Sequence, residues 1–197
     1  MRFLETDDEL LVREVLRGES GSFDILVRRY QSKVYATAYR FVRSREDALD
    51  IAQDVFIKAF RSLGKWQPTG QFKSWLLRIT VNMSIDHLRR RSRMPRFVAT
   101  QELAPPGTAA VAEHVRTREP SENASDAELG GLIRRAVDKL PEKQRAVFIL
   151  RHYEGLPLSE IAQAMNCTEG TVKTHLFRAT GKLRDELQDV RRDFMRG

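Results

Sequence analysis

Residues 156–183 have the sequence LPLSEIAQAMNCTEGTVKTHLFRATGKL, which predicts two short helices joined by a tight polar turn. The turn comprises residues 166–168, and Thr168 is a suitable N-cap for the second helix. That helix is predicted to bury Val172 and Leu176, which lie four positions apart on one face. The pattern is typical of a helix-turn-helix, whose second helix enters the major groove of DNA. The alternative is an ordinary helical hairpin with a solvated basic face.

The outer side of this second helix carries polar, basic and aromatic side chains. Ala162 in the first helix is small, so the two helices can cross closely and leave that side open. The side chains predicted to lie there are Glu169, Lys173, Thr174, His175, Phe177 and Arg178.

The composition fits a globular protein with a polyanionic partner. The chain has 197 residues, enough for one large or two small domains, and it is 41% hydrophobic and 31% charged. Its formal net charge of +7 favours nucleic acid or an anionic membrane surface, without choosing between them.

Several classes of site lack the residues that they need. No apolar run is long enough to span a bilayer, and no signal sequence is expected at the start. Cys167 is the only cysteine, so no internal disulfide can form and the expected location is a reducing cytoplasm. The four histidines lack metal-ligand spacing, and there is no phosphate-binding loop or nucleophile elbow. We therefore expect no metal, no cofactor and no enzymatic activity. Cys167 is expected to be a small, half-buried residue of the turn.

Helical periodicity covers most of the remaining chain and predicts an all-α protein without strands. Capping signals at residues 6–9, 44–47 and 125–128 mark three helix starts, and Gly18 marks the end of the first helix. The first helix is predicted to bury one stripe, formed by Leu10, Leu11, Val15 and Leu16. The third helix is predicted to turn inward Ala48, Ile51, Ala52, Val55, Ala59 and Phe60.

A change in composition separates two predicted domains. Residues 97–125 show no sustained period and contain Pro105-Pro106-Gly107, which predicts a flexible linker. Two small helical domains, residues 1–96 and 126–197, are predicted on either side of it, and the second contains the helix-turn-helix.

Three aspartates share one face of the predicted third helix, because Asp47, Asp50 and Asp54 fall at i, i+3 and i+7. Like charges at such spacing cost a helix about 0.2–0.5 kcal/mol per pair. The helix N-terminus favours Asp47 and Lys58 can pair with Asp54, whereas Asp50 has no such local compensation. The stripe indicates either a docking face for a basic partner or a solvated face.

A loop containing Trp66 precedes a fourth helix, predicted from about Phe72 to Arg93. The inward positions are predicted to be Phe72, Trp75, Leu76, Ile79 and Met83. The polar positions are Arg78, Asn82, Asp86, Arg89, Arg90, Arg91 and Arg93. Aromatic rings beside a basic helix are typical of a site for single-stranded nucleic acid. The alternative, which we favour for Phe72 and Trp75, is that these rings belong to the core.

Three blocks, in order, resemble the extracytoplasmic-function group of bacterial sigma factors, which direct RNA polymerase to promoters. Residues 23–30 together with DALDIAQDVF at 47–56 resemble the segment that binds core polymerase. FKSWLLRI at 72–79 with Asn82 resembles the promoter-opening segment, and residues 140–178 resemble the second domain of that family. The resemblance covers nearly the whole chain.

The resemblance implies three contact surfaces. Core RNA polymerase would contact Asp47, Asp50, Gln53 and Asp54. The melted −10 element would meet Trp66, Phe72, Lys73, Trp75, Arg78, Asn82, Asp86, Arg89 and Arg90. The duplex −35 element would meet Thr171, Lys173, Thr174, His175, Phe177 and Arg178. Within the second surface, Trp66 would line a pocket for a flipped base.

The resemblance also implies a further partner, an anti-sigma factor, which is often anchored in the membrane. Two other interpretations remain open. A stand-alone helix-turn-helix transcription regulator would carry a ligand, receiver or dimerisation domain in place of the first domain. A single-stranded RNA-binding protein would account for Trp66 and the arginines but not for the helical hairpin.

Overall fold

A computed structural model of the chain describes residues 7–66, 71–93 and 124–194, and within these ranges it contains helices and no strand. The predicted all-α class is confirmed. The chain divides into two compact units, Met1–Arg118 and Glu119–Gly197. The predicted linker, residues 97–125, lies almost entirely outside the described residues. No helix in the described ranges is long and apolar enough to cross a membrane.

The first unit is organised around a long central helix. Its elements are α1 (Asp8–Leu16), α2 (Gly21–Val42), α3 (Arg45–Ser62), a 3-10 turn (Leu63–Lys65) and α4 (Phe72–Arg93). The central helix α2 packs against α1, α3 and α4, and α3 also packs against α4. The side chains that fill the space between them include Leu26, Val34, Ala38, Phe41, Val55, Ala59, Leu76 and Leu77.

The predicted helix starts in this unit are formed by side-chain caps. The carboxylate of Asp7 accepts a hydrogen bond from the Glu9 N–H at 3.4 Å, and the Ser44 hydroxyl oxygen accepts one from the Asp47 N–H at 3.2 Å. Each bond satisfies a backbone donor that has no partner within its own helix.

Three predicted core positions of the first unit are wrong, because their side chains are largely exposed. In α1 the buried residues are Leu11 and Val12, while Leu10 and Leu16 are 47% and 56% exposed. Because α1 lies at the edge of the unit and packs on α2 and the 3-10 turn, it buries a narrower face than the predicted stripe. Phe60 of α3 is likewise half exposed, with one side of its ring against Phe23 at a centroid distance of 5.0 Å.

The second unit is organised around its last helix. Its elements are α5 (Ala124–Asp138), α6 (Glu142–Phe148) continued by a π turn (Ile149–Tyr153), α7 (Leu158–Met165) and α8 (Glu169–Phe194). The helix α8 packs against α5, α6 and α7. One core cluster lies between α5 and α8 and consists of Ala136, Val137, Leu140, Ala179 and Leu183.

The turn between α7 and α8 confirms the predicted helix-turn-helix. Asn166 adopts a left-handed conformation with φ 50°. The Asn166 N–H donates to the carbonyl of Gln163 at 3.2 Å, and the Cys167 N–H donates to the carbonyl of Ala162 at 3.0 Å. These two bonds form a Schellman motif, which ends α7 sharply. The Thr168 hydroxyl then accepts from the Thr171 N–H at 3.2 Å and begins α8 as predicted.

Two glycines of the second unit differ in whether the local backbone conformation requires a glycine. Gly155 has φ 69°, a conformation in which an L side chain is strained, and it ends the π turn. Gly181 lies inside α8, and a Cβ built there meets no atom within 4 Å. The backbone at Gly181 therefore does not require a glycine. A glycine at this position makes the helix less stable by about 1 kcal/mol than an alanine would.

We predict that Gly181→Ala stabilises the second unit by about 1 kcal/mol, because alanine loses less conformational entropy in a helix. Hydrogen exchange of the α8 amides in the full chain measures this effect, and slower exchange is expected. As the matched control, Gly155→Ala adds the same methyl group at a position with positive φ and should accelerate exchange. Faster exchange in Gly181→Ala would contradict the prediction.

Candidate functional site

An acidic surface lies along the outer side of α3. Asp50, Gln53 and Asp54 are all exposed there, and Ile57, one turn further on, is also exposed. No ion pair to Asp50 or Asp54 occurs within the part of the chain that the structure describes, so the pairing of Asp54 with Lys58 is absent. Two carboxylates one helical turn apart repel each other, and a basic partner would relieve that repulsion.

Asp47, the third member of the predicted stripe, is engaged inside the unit. Its carboxylate lies 3.0 Å from Arg91 Nη1 and 3.4 Å from His87 Nε2, both on α4. The sequence placed Asp47 with Asp50 and Asp54, but the fold uses its charge to connect α3 to α4. Because Arg91 is well exposed, the pair contributes at most about 1 kcal/mol to stability.

Four aromatic rings meet at the start of α4. Phe72 is buried and lies between Tyr30 at 5.6 Å, Trp66 at 6.1 Å and Trp75 at 5.5 Å, measured between ring centroids. The core alternative for Phe72 is therefore confirmed, and its ring cannot meet a base directly. Trp66 and Trp75 are half-buried, so part of each indole remains accessible.

The outer side of α4 is a continuous polar stripe. Its described members recur every three or four residues, and all are exposed: Arg78, Asn82, Asp86, Arg89 and Arg90. Lys73 is half-buried beside the aromatic rings at the start of the same helix. The stripe places guanidinium groups and one amide on the side opposite the buried residues Thr80 and Ser84. This combination suits a single-stranded backbone with unstacked bases.

The outer side of α8 presents the second candidate surface. Thr171, Lys173, Thr174 and Arg178 are exposed, and Phe177 is 78% exposed. The Thr174 hydroxyl donates to the carbonyl of Gly170 at 2.9 Å, which leaves its oxygen as an acceptor. The set offers two cations, two hydroxyls and an apolar ring, all of which can contact base edges or phosphates in a major groove.

His175 departs from the predicted outer set. It is half-buried, and its Nδ1 atom is buried without a hydrogen-bond partner among the described residues. Its position three residues after the fully buried Val172 places it at the border of the core face. Only the remainder of its ring is available to DNA. Leu176 is half-buried rather than fully buried.

The pKa of His175 lies below its usual value of 6.5, first because burial disfavours the charged ring, and then because Lys143 and Arg178 repel it. A pKa lowered by folding means that the unfolded chain binds protons more readily. The stabilising contribution is therefore complete above the unfolded pKa and is lost as the pH falls through the folded one.

We predict that the free energy of unfolding of the second unit decreases as the pH falls below the ordinary histidine pKa of 6.5, and that His175→Gln reduces this slope. Hydrogen exchange of α8 in the full chain at several pH values measures the effect. His152→Gln, at an exposed position in the same unit, is the control and should retain the slope. An unchanged slope in His175→Gln would contradict the assignment.

The sequence missed the contacts that join elements. Asp8 falls within the capping signal at residues 6–9, and the phenol of Tyr30 donates a hydrogen bond to its carboxylate. Their spacing of 22 residues gives no local signal, although a tyrosine in an apolar stripe is a reason to look for a partner of its hydroxyl group. No cluster suited to a metal ion occurs within the described ranges.

Comparison with known protein families assigns both units. Residues 26–94 match the family described as Sigma-70 region 2, and residues 130–183 match Sigma-70, region 4. The first match contains α3, the aromatic cluster and α4, and the second contains the helix-turn-helix. Proteins of this family are transcription initiation factors rather than enzymes, as the sequence predicts.

Known relatives resemble the chain over nearly its full length. The RNA polymerase sigma-H factor of Pseudomonas aeruginosa is 33% identical, over 96% of this chain and 98% of the relative. The ECF RNA polymerase sigma-E factor of Haemophilus influenzae is 34% identical, over 93% and 96%. The sigma factor RpoE of Bartonella quintana, solved in complex with the anti-sigma factor NepR, shares the fold with a TM-score of 0.62 and 21% identity, over 84% of this chain and 96% of that one. The chain therefore belongs to the extracytoplasmic-function group of RNA polymerase sigma factors, which direct the polymerase to promoters.

Proposed function

We propose that this sigma factor selects promoters through two separate DNA-binding surfaces, one on each unit, while an acidic surface on the first unit holds the core polymerase. One observation carries the proposal. The chain exposes three surfaces of different chemistry, an acidic face on α3, an aromatic and arginine-rich surface at α4, and a basic face on α8.

The acidic face of α3 is the proposed polymerase contact, with Asp50, Gln53 and Asp54 as its members. Neither aspartate has an ion pair within the described residues, so docking to a basic surface does not first require an internal pair to break. Asp47 contributes less in this proposal, because Arg91 already neutralises much of its charge. Ile57 adds an apolar contact beside the charges.

The surface at α4 is the proposed site for the melted −10 element. Flipping a base out of the duplex costs a few kcal/mol, and stacking on an aromatic ring returns about 1–3 kcal/mol per base. Trp66 is the proposed stacking partner because its ring is partly accessible and supported from behind by Phe72. Asn82 and Asp86 lie on the exposed stripe of the same helix, where they can hydrogen-bond to base edges.

The outer face of α8 is the proposed site for the duplex −35 element. Lys173 and Arg178 supply cations, and Phe177 supplies an apolar surface suited to a thymine methyl group. A good side-chain contact with a base pair discriminates against the wrong base by about 1–3 kcal/mol. Because both surfaces belong to one chain, binding at one makes binding at the other intramolecular.

We further propose that an anti-sigma factor controls the chain in the cytoplasm, and that this anti-sigma factor is anchored in the membrane. The family resemblance supports this, and the fold relative from Bartonella quintana has been solved with such a partner. A regulator of this kind would act by covering the exposed surfaces that contact polymerase and DNA.

We predict that Asp54→Arg weakens binding of the full chain to core polymerase about tenfold or more, because it places a cation opposite a basic partner. Asp47→Asn should have a smaller effect, since its carboxylate already serves Arg91. Titration of labelled protein with core polymerase measures both affinities.

The matched control is Asp185→Arg, which makes the same charge change at an exposed position of α8. It should leave the affinity for core polymerase within about twofold. Equal losses in Asp54→Arg and Asp185→Arg would mean that net charge, and not the α3 face, governs docking.

We predict that the two DNA-binding surfaces fail at different steps. Replacing both Lys173 and Arg178 by alanine should weaken the closed complex at promoters that depend on the −35 element, because two cations that face duplex DNA are lost. Trp66→Ala should instead impair opening, seen as lost permanganate reactivity, with little change in closed-complex affinity.

The control for the double variant is Arg135→Ala combined with Lys139→Ala, which removes the same charge from α5 and its C-terminal end. Lys139 forms a surface ion pair with Glu186, which is worth little to stability. Normal closed complexes are expected for this control. If Trp66→Ala weakened the closed complex as strongly as the double variant does, the division of labour would be wrong.

A further inference from the structure

We propose that Tyr30, held by Asp8, is a positioning residue for promoter opening, because it fixes the Phe72 ring that supports Trp66. The inference rests on the proposed role of Trp66 at the melted −10 element. Tyr30 itself is half-buried on α2 and is not among the residues proposed to contact DNA.

Asp8 fixes the hydroxyl end of Tyr30. As the first residue of α1, it accepts a hydrogen bond from the Tyr30 phenol on one carboxylate oxygen and from Arg29 on the other. The side chains of Asp8 and Arg29 are each only 19% exposed, so water competes weakly for these bonds. Hydrogen bonds to a charged carboxylate are roughly twice as strong as neutral ones.

The phenol of Tyr30 is a permanent donor. Burial raises its pKa above the usual value, the hydrogen bond to Asp8 and the charge of Asp8 raise it further, and Arg29 opposes these effects. Tyr30 therefore stays protonated at any physiological pH. Its contribution is geometric, since it holds an orientation and transfers no proton.

The fixed tyrosine ring is connected to Trp66 through one intermediate ring. The Tyr30 ring lies 5.6 Å from that of Phe72 at an interplanar angle of 51°, and the Trp66 ring stands on Phe72 at 6.1 Å and 77°. Aromatic pairs prefer offset or edge-on arrangements over a face-to-face sandwich, so a rotation of one ring shifts the next. Phe72 is also the first residue of α4, so its ring contacts with Tyr30 and Trp66 are made at the start of that helix.

The backbone at Trp66 gives the indole little independent support. Trp66 follows the 3-10 turn in an extended conformation, with φ −70° and ψ 133°, and its N–H donates to the carbonyl of Leu63 at 3.0 Å. That bond fixes the position of the Trp66 backbone but not the orientation of its indole ring. The contact with Phe72 orients the ring, and Phe72 is in turn supported by Tyr30.

The experiment uses the full chain labelled with 5-fluorotryptophan. The sequence contains two tryptophans, so two fluorine resonances are expected, and Trp66→Phe assigns them. In Tyr30→Phe the Trp66 resonance should shift or broaden. In the holoenzyme the same variant should open promoters about tenfold more slowly, as expected for loss of a charge-assisted hydrogen bond, while core binding and closed-complex affinity stay within about twofold.

Two further variants keep the test decisive. Asp8→Asn retains an acceptor oxygen but loses the charge, so it should move the Trp66 resonance and the opening rate in the same direction by a smaller amount. It carries the test if Tyr30→Phe does not fold. Tyr35→Phe makes the identical chemical change on α2, where the Tyr35 ring stacks on Tyr39 at 6.1 Å, and it should leave both measurements unchanged.

The outcomes separate this inference from the proposed function. An unmoved Trp66 resonance in both Tyr30→Phe and Asp8→Asn would overturn the positioning role, whatever the promoter assays show. A moved resonance with normal opening in Tyr30→Phe would overturn its role in opening. If Trp66→Ala also opens promoters normally, the failure lies in the proposed function of Trp66 itself.

Discussion

Burial of Val172, Ala179 and Leu183 on one side of α8 determines what this helix presents on the other side. These three residues are almost completely buried and recur at intervals of seven and four, so they fix the rotation of the helix about its axis. Lys173 and Arg178 are then forced outward together. The same constraint governs α4, whose buried and polar faces are set by a single rotation. In each unit the buried face of one helix determines which polar and basic side chains that helix exposes.

The sequence predicts these rotations well because they depend on local periodicity. Helix positions, the capping of α3 by Ser44 and the turn before α8 all follow from residues within a few positions of one another. The errors occur where the neighbouring element decides the outcome. Leu10 and Leu16 match an apolar stripe but lie beyond the edge of the surface that α2 covers.

The candidate site residues also fall into those that local periodicity predicts and those whose environment depends on a distant element. The sequence identifies Asp50, Asp54, Lys173 and Arg178 as surface charges because helix geometry alone places them outside. It does not show that Asp47 is engaged by α4, since Arg91 lies 44 residues away. His175 is a borderline case because it follows Val172 by three residues, which places it between the buried face and the exposed face of α8.

Two side-chain connections join the elements of the first unit to one another. Asp47 joins α3, which carries the acidic face, to α4, which carries the polar stripe. Phe72 joins α2 to the loop residue Trp66 through its ring contacts. Both connections run between elements that pack against one another, so the core sets the spacing between the acidic face of α3 and the polar stripe of α4.

The central claim is that one chain reads two separate promoter elements. Transcription of fragmented genomic DNA by core polymerase plus the purified chain, followed by sequencing of the run-off transcripts, tests it most directly. The account predicts a set of start sites that share two sequence blocks at a nearly constant spacing, both absent from transcripts made by core polymerase alone. Transcripts without a shared sequence, or with a single shared block, would contradict it.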